Sequence, residues 1–352
     1  MDGYQYVTLQ GVNTNSPDTI WIKGSDGCPA YTKASNSFQN SAEFASRQAS
    51  TRDFYRRFFP VLESVYDYTS PDNMSYAKAF DIFDLINVAR IHNATSLARN
   101  VSDEDLFQLR TLADSSEFGL NYNLTQPARS IHAETFSGTI LNQLNQTITS
   151  KGKLKFSLLG GSYNTFLAFF GLANLTAVDT NFFAVPDYAS TMAFELFTSD
   201  TVTSFPQNPD SALRVRFLFR NGTAGALSAF PLFGSGADSL SWPDFVSQMQ
   251  RRAITTAAKW CSACNATADF CAAYQDQADS PAPSSSSSSS SGSAMSNTVA
   301  GVIGAMVTLG VVAVVGGLAF VLLRKRWAAP MAAGVAAAGE EKGSLHSGSQ
   351  GA

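Results

Sequence analysis

Basic residues are scarce in this sequence, and charge of either sign is thin. Among 352 residues, 24 are Lys or Arg against 28 Asp or Glu, only 15% are charged, and the formal net charge is −4. A nucleic-acid binder must neutralise phosphates over a broad basic face, so nucleic acid is excluded as a partner. Residues 1–6, MDGYQY, lack both a basic n-region and an apolar h-region. They are therefore not a signal peptide, and the true N-terminus is expected to lie upstream. What is abundant is apolar material: 45% hydrophobic and 12% aromatic residues. That suffices for at least one sizeable core and rules out a disordered chain or a coiled coil.

The charge-free run 298–323, TVAGVIGAMVTLGVVAVVGGLAFVLL, is long enough to cross a hydrocarbon core of ~30 Å. It is read as a single transmembrane helix. The cluster Arg324-Lys325-Arg326 follows it at once, which places the tail 324–352 in the cytoplasm and everything before the span outside or in a lumen. A hydrophobic tail that ended the chain would suggest a GPI signal, but a polar and Ala/Gly-rich tail follows here. Residues 276–297 are Pro- and Ser-rich, with eight consecutive serines from Ser284 to Ser291, and are read as a stalk without a core. Residues 1–275 are then the ectodomain.

Glycosylation sequons agree with this topology. Asn73, Asn93, Asn100, Asn123, Asn145, Asn174, Asn221 and Asn265 each begin Asn-x-Ser/Thr, and all precede the span. All four cysteines, Cys28, Cys261, Cys264 and Cys271, also precede it, which suits an oxidising compartment and two disulfides with three possible pairings. Cys261 and Cys264 have C-x-x-C spacing, but a zinc site would need Cys28 as its fourth ligand, and no β-α-β context supports a redox role. No metal and no cofactor is expected.

Apolar residues recur at three and four spacing over 43–66, 77–92, 102–118 and 129–149, which predicts four helices, the third capped by Ser102. Residues 153–158 alternate strictly and run into Gly160-Gly161 and then the apolar stretch 166–172, which predicts strand, turn and helix. Residues 212–220, ALRVRFLFR, are a second strand. The mixture predicts an α/β domain with a helical portion in its first 150 residues. Gly160-Gly161-Ser162-Tyr163-Asn164-Thr165 sits where a helix N-terminus offers free amides to a ligand, or where a glycine pair serves only as a tight turn.

Three segments together resemble a fungal branch of the histidine acid phosphatases: Asp26-Gly27-Cys28-Pro29-Ala30-Tyr31, Leu158-Leu159-Gly160-Gly161-Ser162-Tyr163-Asn164-Thr165-Phe166, and Pro186-Asp187-Tyr188-Ala189-Ser190 through Phe194-Glu195-Leu196. The likeness spans roughly residues 4–271. It implies a phosphoglycerate mutase-like α/β core with a helical subdomain, here N-terminally incomplete. It also implies, in active members, phosphomonoester hydrolysis through a phosphohistidine, and a phosphorylated or anionic small-molecule ligand.

Active members carry an Arg-His-Gly-x-Arg-x-Pro segment and a later His-Asp pair whose Asp protonates the leaving group. Neither is present. The histidines are His92, His132 and His346, none within Arg-His-Gly, and Ser162 and Tyr163 occupy the His-Asp positions. A tyrosine of ordinary pKa near ~10 is a poor acid beside a carboxyl group. The expectation is a catalytically degenerate ectodomain that binds a ligand or serves as a cell-surface structural glycoprotein. The alternative is an active acid phosphatase or phytase-like enzyme whose nucleophile segment precedes Met1. His92 and His132 read as helix-face or core residues, Asp179, Asp187 and Glu195 as capping or solvated carboxylates, and Arg52, Arg56 and Arg57 as a solvated face.

Overall fold

The computed structural model describes residues 11–275, apart from 64, 66, 67 and 200. The stalk, the apolar span, the tail with His346, and residues 1–10 lie outside the described residues. Among the described residues no helix is long and apolar enough to cross a membrane.

Cys28 is extended and Pro29 opens α1 (Pro29–Gln39), where a missing amide hydrogen costs nothing. The one helix expected over 43–66 is instead three: α2 (Ala42–Ser50), α3 (Arg52–Arg56) and α4 (Phe59–Leu62). Thr51, at φ −105° and ψ 3°, leaves helical geometry, and Pro60 removes a donor, so apolar spacing alone overran both breaks. The long helices α5 (Ala79–His92), α6 (Asp103–Asn121) and α7 (Ile131–Thr149) follow the remaining periodicities within a few residues. Ser102 caps α6 by accepting from the Asp105 amide at 3.0 Å, with three carboxylates in the first turn where the helix dipole favours them.

Residues 153–158 form no strand. Between positions 155 and 161 no backbone hydrogen bond joins the chain to another described segment, and Phe156 is 75% exposed. Alternation marks a face, but a strand also needs a neighbour within hydrogen-bonding reach. Gly160 and Gly161 have no left-handed φ and make no tight turn; the segment runs irregularly into α8 (Tyr163–Leu172). That helix is apolar all round and accordingly enclosed, with Leu167, Ala168, Phe169 and Phe170 buried.

One face of α8 meets the sheet, which comprises β1 (Thr191–Thr198), β2 (Leu213–Arg220), β3 (Ser228–Phe230) and β4 (Leu240–Ser241). The short α9 (Pro209–Ala212) leads into β2. β1 pairs with β2 from Thr191↔Arg220 to Thr198↔Leu213, and β3 and β4 pair with the other side of β2. Every pairing is antiparallel. The Phe169 ring lies 5.4 Å from Phe194 and 5.8 Å from Phe217, so aromatic side chains from α8, β1 and β2 fill the space between layers. The domain is thus mixed helix and sheet, with a small sheet and a larger helical part.

The chain closes with α10 (Trp242–Gln250), α11 (Ala257–Cys264) and α12 (Asp269–Gln275). Of the three possible cysteine pairings the structure has Cys28–Cys264 and Cys261–Cys271, which leaves no free thiol. Around them Ile20, Ile131, Ile254 and Trp260 form a separate apolar cluster, and the Trp260 indole donates to the Gly24 carbonyl at 2.7 Å. The α7 face beside this cluster is held against residues 253–255: a Cβ at Gly138 would stand 2.1 Å from the Ile254 carbonyl oxygen. Backbone cannot yield as a flexible side chain does. Gly138→Ala is expected to cost about 2–3 kcal/mol, measured by urea unfolding; an unchanged midpoint would show that the approach is looser than drawn.

Candidate functional site

The site is built where α1, α6, α7 and the start of α8 converge, and it unites two of the three segments singled out in the sequence. Ser162 is the N-cap residue of α8, exposed, and its hydroxyl donates to Asn164 Oδ1 at 2.8 Å rather than capping a backbone amide. Tyr163 turns inward. Its ring lies 4.3 Å from Phe80, and its phenol faces the Glu117 carboxylate closely enough to interact with it. Burial first, then the charge of Glu117, pushes the phenol well above its ordinary pKa.

Glu117 and Asn121 occupy the inward stripe of α6 shared by Leu109, Leu112 and Ala113, one helical turn apart. Glu117 is 8% exposed, and burial, assisted by the charge of Asp81, raises its pKa to about 7. Asn121 Nδ2 donates to the Glu117 backbone carbonyl at 2.8 Å and reaches its carboxylate at 3.4 Å; its Oδ1 accepts from Tyr31 at 3.2 Å. The Tyr31 ring stands edge-on to His132, 5.5 Å away.

His132 is 1% exposed, and its Nε2 lies 2.9 Å from the Asn164 carbonyl. That carbonyl only accepts, so Nε2 carries the proton and Nδ1 is a bare acceptor, without a hydrogen-bond partner. Burial lowers the pKa to about 4, so the ring is neutral. His132 therefore fixes the first turn of α8 from below and is not placed as a nucleophile. His92, by contrast, is exposed at the end of α5.

The other polar candidates are engaged elsewhere. Asp179 accepts from the Asn181 amide at 2.8 Å, Asp187 pairs with Arg110 at 2.5 Å, and Glu195 pairs with Arg216 across β1 and β2. Arg52 and Arg56 both pair with Asp72, and Arg57 with Asp105 at 2.8 Å, all on the surface. Asp187 and Glu195 are thus engaged with arginines rather than with Tyr163, although Ser190, Phe194 and Leu196 of the third segment share a cavity with Leu158, Gly161 and Phe166 of the second; Arg52, Arg56 and Arg57 pair with Asp72 and Asp105 instead. Among the described residues no group of three or more His, Cys, Asp or Glu side chains gathers as a metal site would.

None of the eight sequon asparagines is buried: seven are exposed and Asn123 is half-buried. Asn174 and Asn265 lie in left-handed backbone that asparagine tolerates, Asn265 at the end of α11.

Chemically, the cluster offers a carboxyl group that holds its proton at acidic pH, a phenol in contact with it, and a helix N-terminus above. It offers no cation. Glu117 and Asn121 escaped the sequence reading, where the one legible signal was a carboxylate falling on the apolar stripe of α6; Tyr31 entered it only as the last residue of the Asp26–Tyr31 segment. The chain matches no protein-family model and no curated protein.

Proposed function

We infer that the chain is a single-pass membrane glycoprotein with a histidine acid phosphatase-like ectodomain, of phosphoglycerate mutase-like type, that binds or serves structurally and does not hydrolyse phosphomonoesters. The observation that carries this reading is the electrostatic surrounding of Tyr163. The charges that act on its phenol are the carboxylates of Glu117 and Asp81. A phosphate monoester needs guanidinium or ammonium groups at that point; none acts on the phenol, and Asp81, joined by Glu117 once pH rises past about 7, repels an anion. Tyr163 also turns its hydroxyl inward to Glu117, away from the solvent side where Ser162 lies, so it is placed to hold α6 to α8. Two disulfides and eight accessible sequons support the exported topology.

One observation favours an enzyme instead: Glu117, with a pKa of about 7, is protonated at acidic pH and could pass a proton through Tyr163. Hydrolysis of p-nitrophenyl phosphate between about pH 3 and pH 7 separates the two. The expected result is no turnover by the unmodified protein, and none after Tyr163→Phe. Turnover that Tyr163→Phe abolishes would make the Glu117–Tyr163 pair the acid and reverse the conclusion.

A further inference from the structure

A groove of about 1250 Å³ runs along the face of α6 that bears Arg110, Asp114 and Phe118. It exceeds the ordinary size of a small-molecule site. Its walls bear apolar side chains that a folded domain seldom leaves bare, Phe107 at 72% and Leu124 at 84% exposure, together with Phe118, Tyr122 and Phe183. Acceptors stand among them: Asp114, Asp179 and Asp187.

Two of the three arginines on these walls are occupied within the protein. Arg129 donates to the carbonyls of Ala34 and Gly119 and to the Ser37 hydroxyl, while Arg110 is held by Asp187 and the Val185 carbonyl. With Arg110 and Arg129 held within the protein, and Asp114, Asp179 and Asp187 keeping carboxylate lone pairs beyond the bonds they already accept from Val185, Asn181 and Arg110, the walls away from Arg47 suit a neutral polyol better than an anion. Pyranose rings fit this chemistry, stacking their C–H faces on aromatic rings while hydroxyls bond carboxylates.

A source of such rings is already on the wall. Asn123, the one half-buried sequon asparagine, lines the groove. Its Oδ1 accepts from both the amide (2.9 Å) and the hydroxyl (2.7 Å) of Thr125, which leaves Nδ2, the atom that carries an N-glycan, without a protein partner. We propose that the N-linked glycan on Asn123 folds back into this groove and covers Phe107 and Leu124 as an integral part of the domain surface. Tethering the sugar at the wall gives it a high effective concentration there, so weak stacking suffices. The proposal rests on the exported, glycosylated topology inferred above.

The test uses the full chain made in a glycosylating eukaryotic host, with each glycopeptide followed by mass spectrometry during endoglycosidase treatment. In the native protein the Asn123 glycan is expected to resist cleavage while those on the exposed Asn93 and Asn145 are removed; after unfolding all are cut alike. Phe107→Ala, an exposed wall residue, should speed native cleavage at Asn123 about fivefold and leave Asn93 unchanged. Thr125→Ser, which keeps the sequon, should retain the protection. Native cleavage at Asn123 as fast as at Asn93, or an empty Asn123 beside occupied sequons, overturns the proposal while leaving the topology intact. Absence of glycan at every sequon overturns the topology and the proposal with it.

Discussion

Replacing Cys28 and Cys264 together by alanine is expected to be the most damaging change in the domain. The bond joins residues 236 positions apart, tying the start of α1 to the end of α11. In the chain-entropy account a loop of that length restricts the unfolded state by about 5 kcal/mol, against about 3 kcal/mol for the ten-residue loop of Cys261–Cys271. Both bonds lie in the cluster around Trp260, so their local packing is similar and loop length dominates the difference. Urea unfolding of the two double variants compares them directly. Equal losses would mean that local contacts, and not closure of the long loop, set the stability.

The second large effect is a pH dependence seated in Glu117. In the folded protein its pKa is about 7, against an ordinary value of 4.5 when the chain unfolds. Between those values the folded state holds a proton that the unfolded state has released, so stability falls as pH rises from about 4.5 through 7, by about 3 kcal/mol in total. Glu117→Gln keeps an acceptor for Tyr163 and a group for Asn121 to contact, yet has nothing to ionise. Relative to the unmodified protein it should gain about 2–3 kcal/mol between pH 5 and pH 8.

Other groups shape the absolute curve. Burial raises Glu134 to about 7 and Asp114 to about 6, which adds to the fall with rising pH. His132, lowered to about 4, acts in the opposite sense, because the unfolded chain takes up its proton first as pH drops. These contributions are common to both proteins and cancel in the difference. Parallel stability curves for the two would show that Glu117 ionises freely and that its place on α6 carries no cost.

Much of the fold was legible along the chain. Periodicity located α5, α6, α7 and β2, because each repeats apolar residues at the period of its own backbone, and a serine with a trailing carboxylate run marked where α6 begins. Cysteine number and position marked a disulfide-bonded domain, since redox compartment and covalent chemistry depend on residue type alone. Where α2, α3 and α4 divide was less legible, because one threonine conformation and one proline decide it against an unbroken apolar pattern. Residues 153–158 show the opposite limit: a flawless alternation with no neighbouring strand to pair with.

The candidate site was hidden for a related reason. Ser162 and Tyr163 stood out by resemblance, but their partners come from α1, α6 and α7, at distances along the chain that no local pattern spans. Residue type by itself determined that this chain has a net charge of −4, no Arg-His-Gly segment, four cysteines and eight sequons ahead of an apolar run. Tertiary structure decided which cysteines meet, that Tyr163 turns inward to a carboxylate, that His132 is a neutral prop beneath α8, and that Asn123 lies on the wall of a groove. The division follows from range: composition and spacing act within a helical turn or two, whereas burial, pKa and pairing depend on what distant segments bring within a few ångströms.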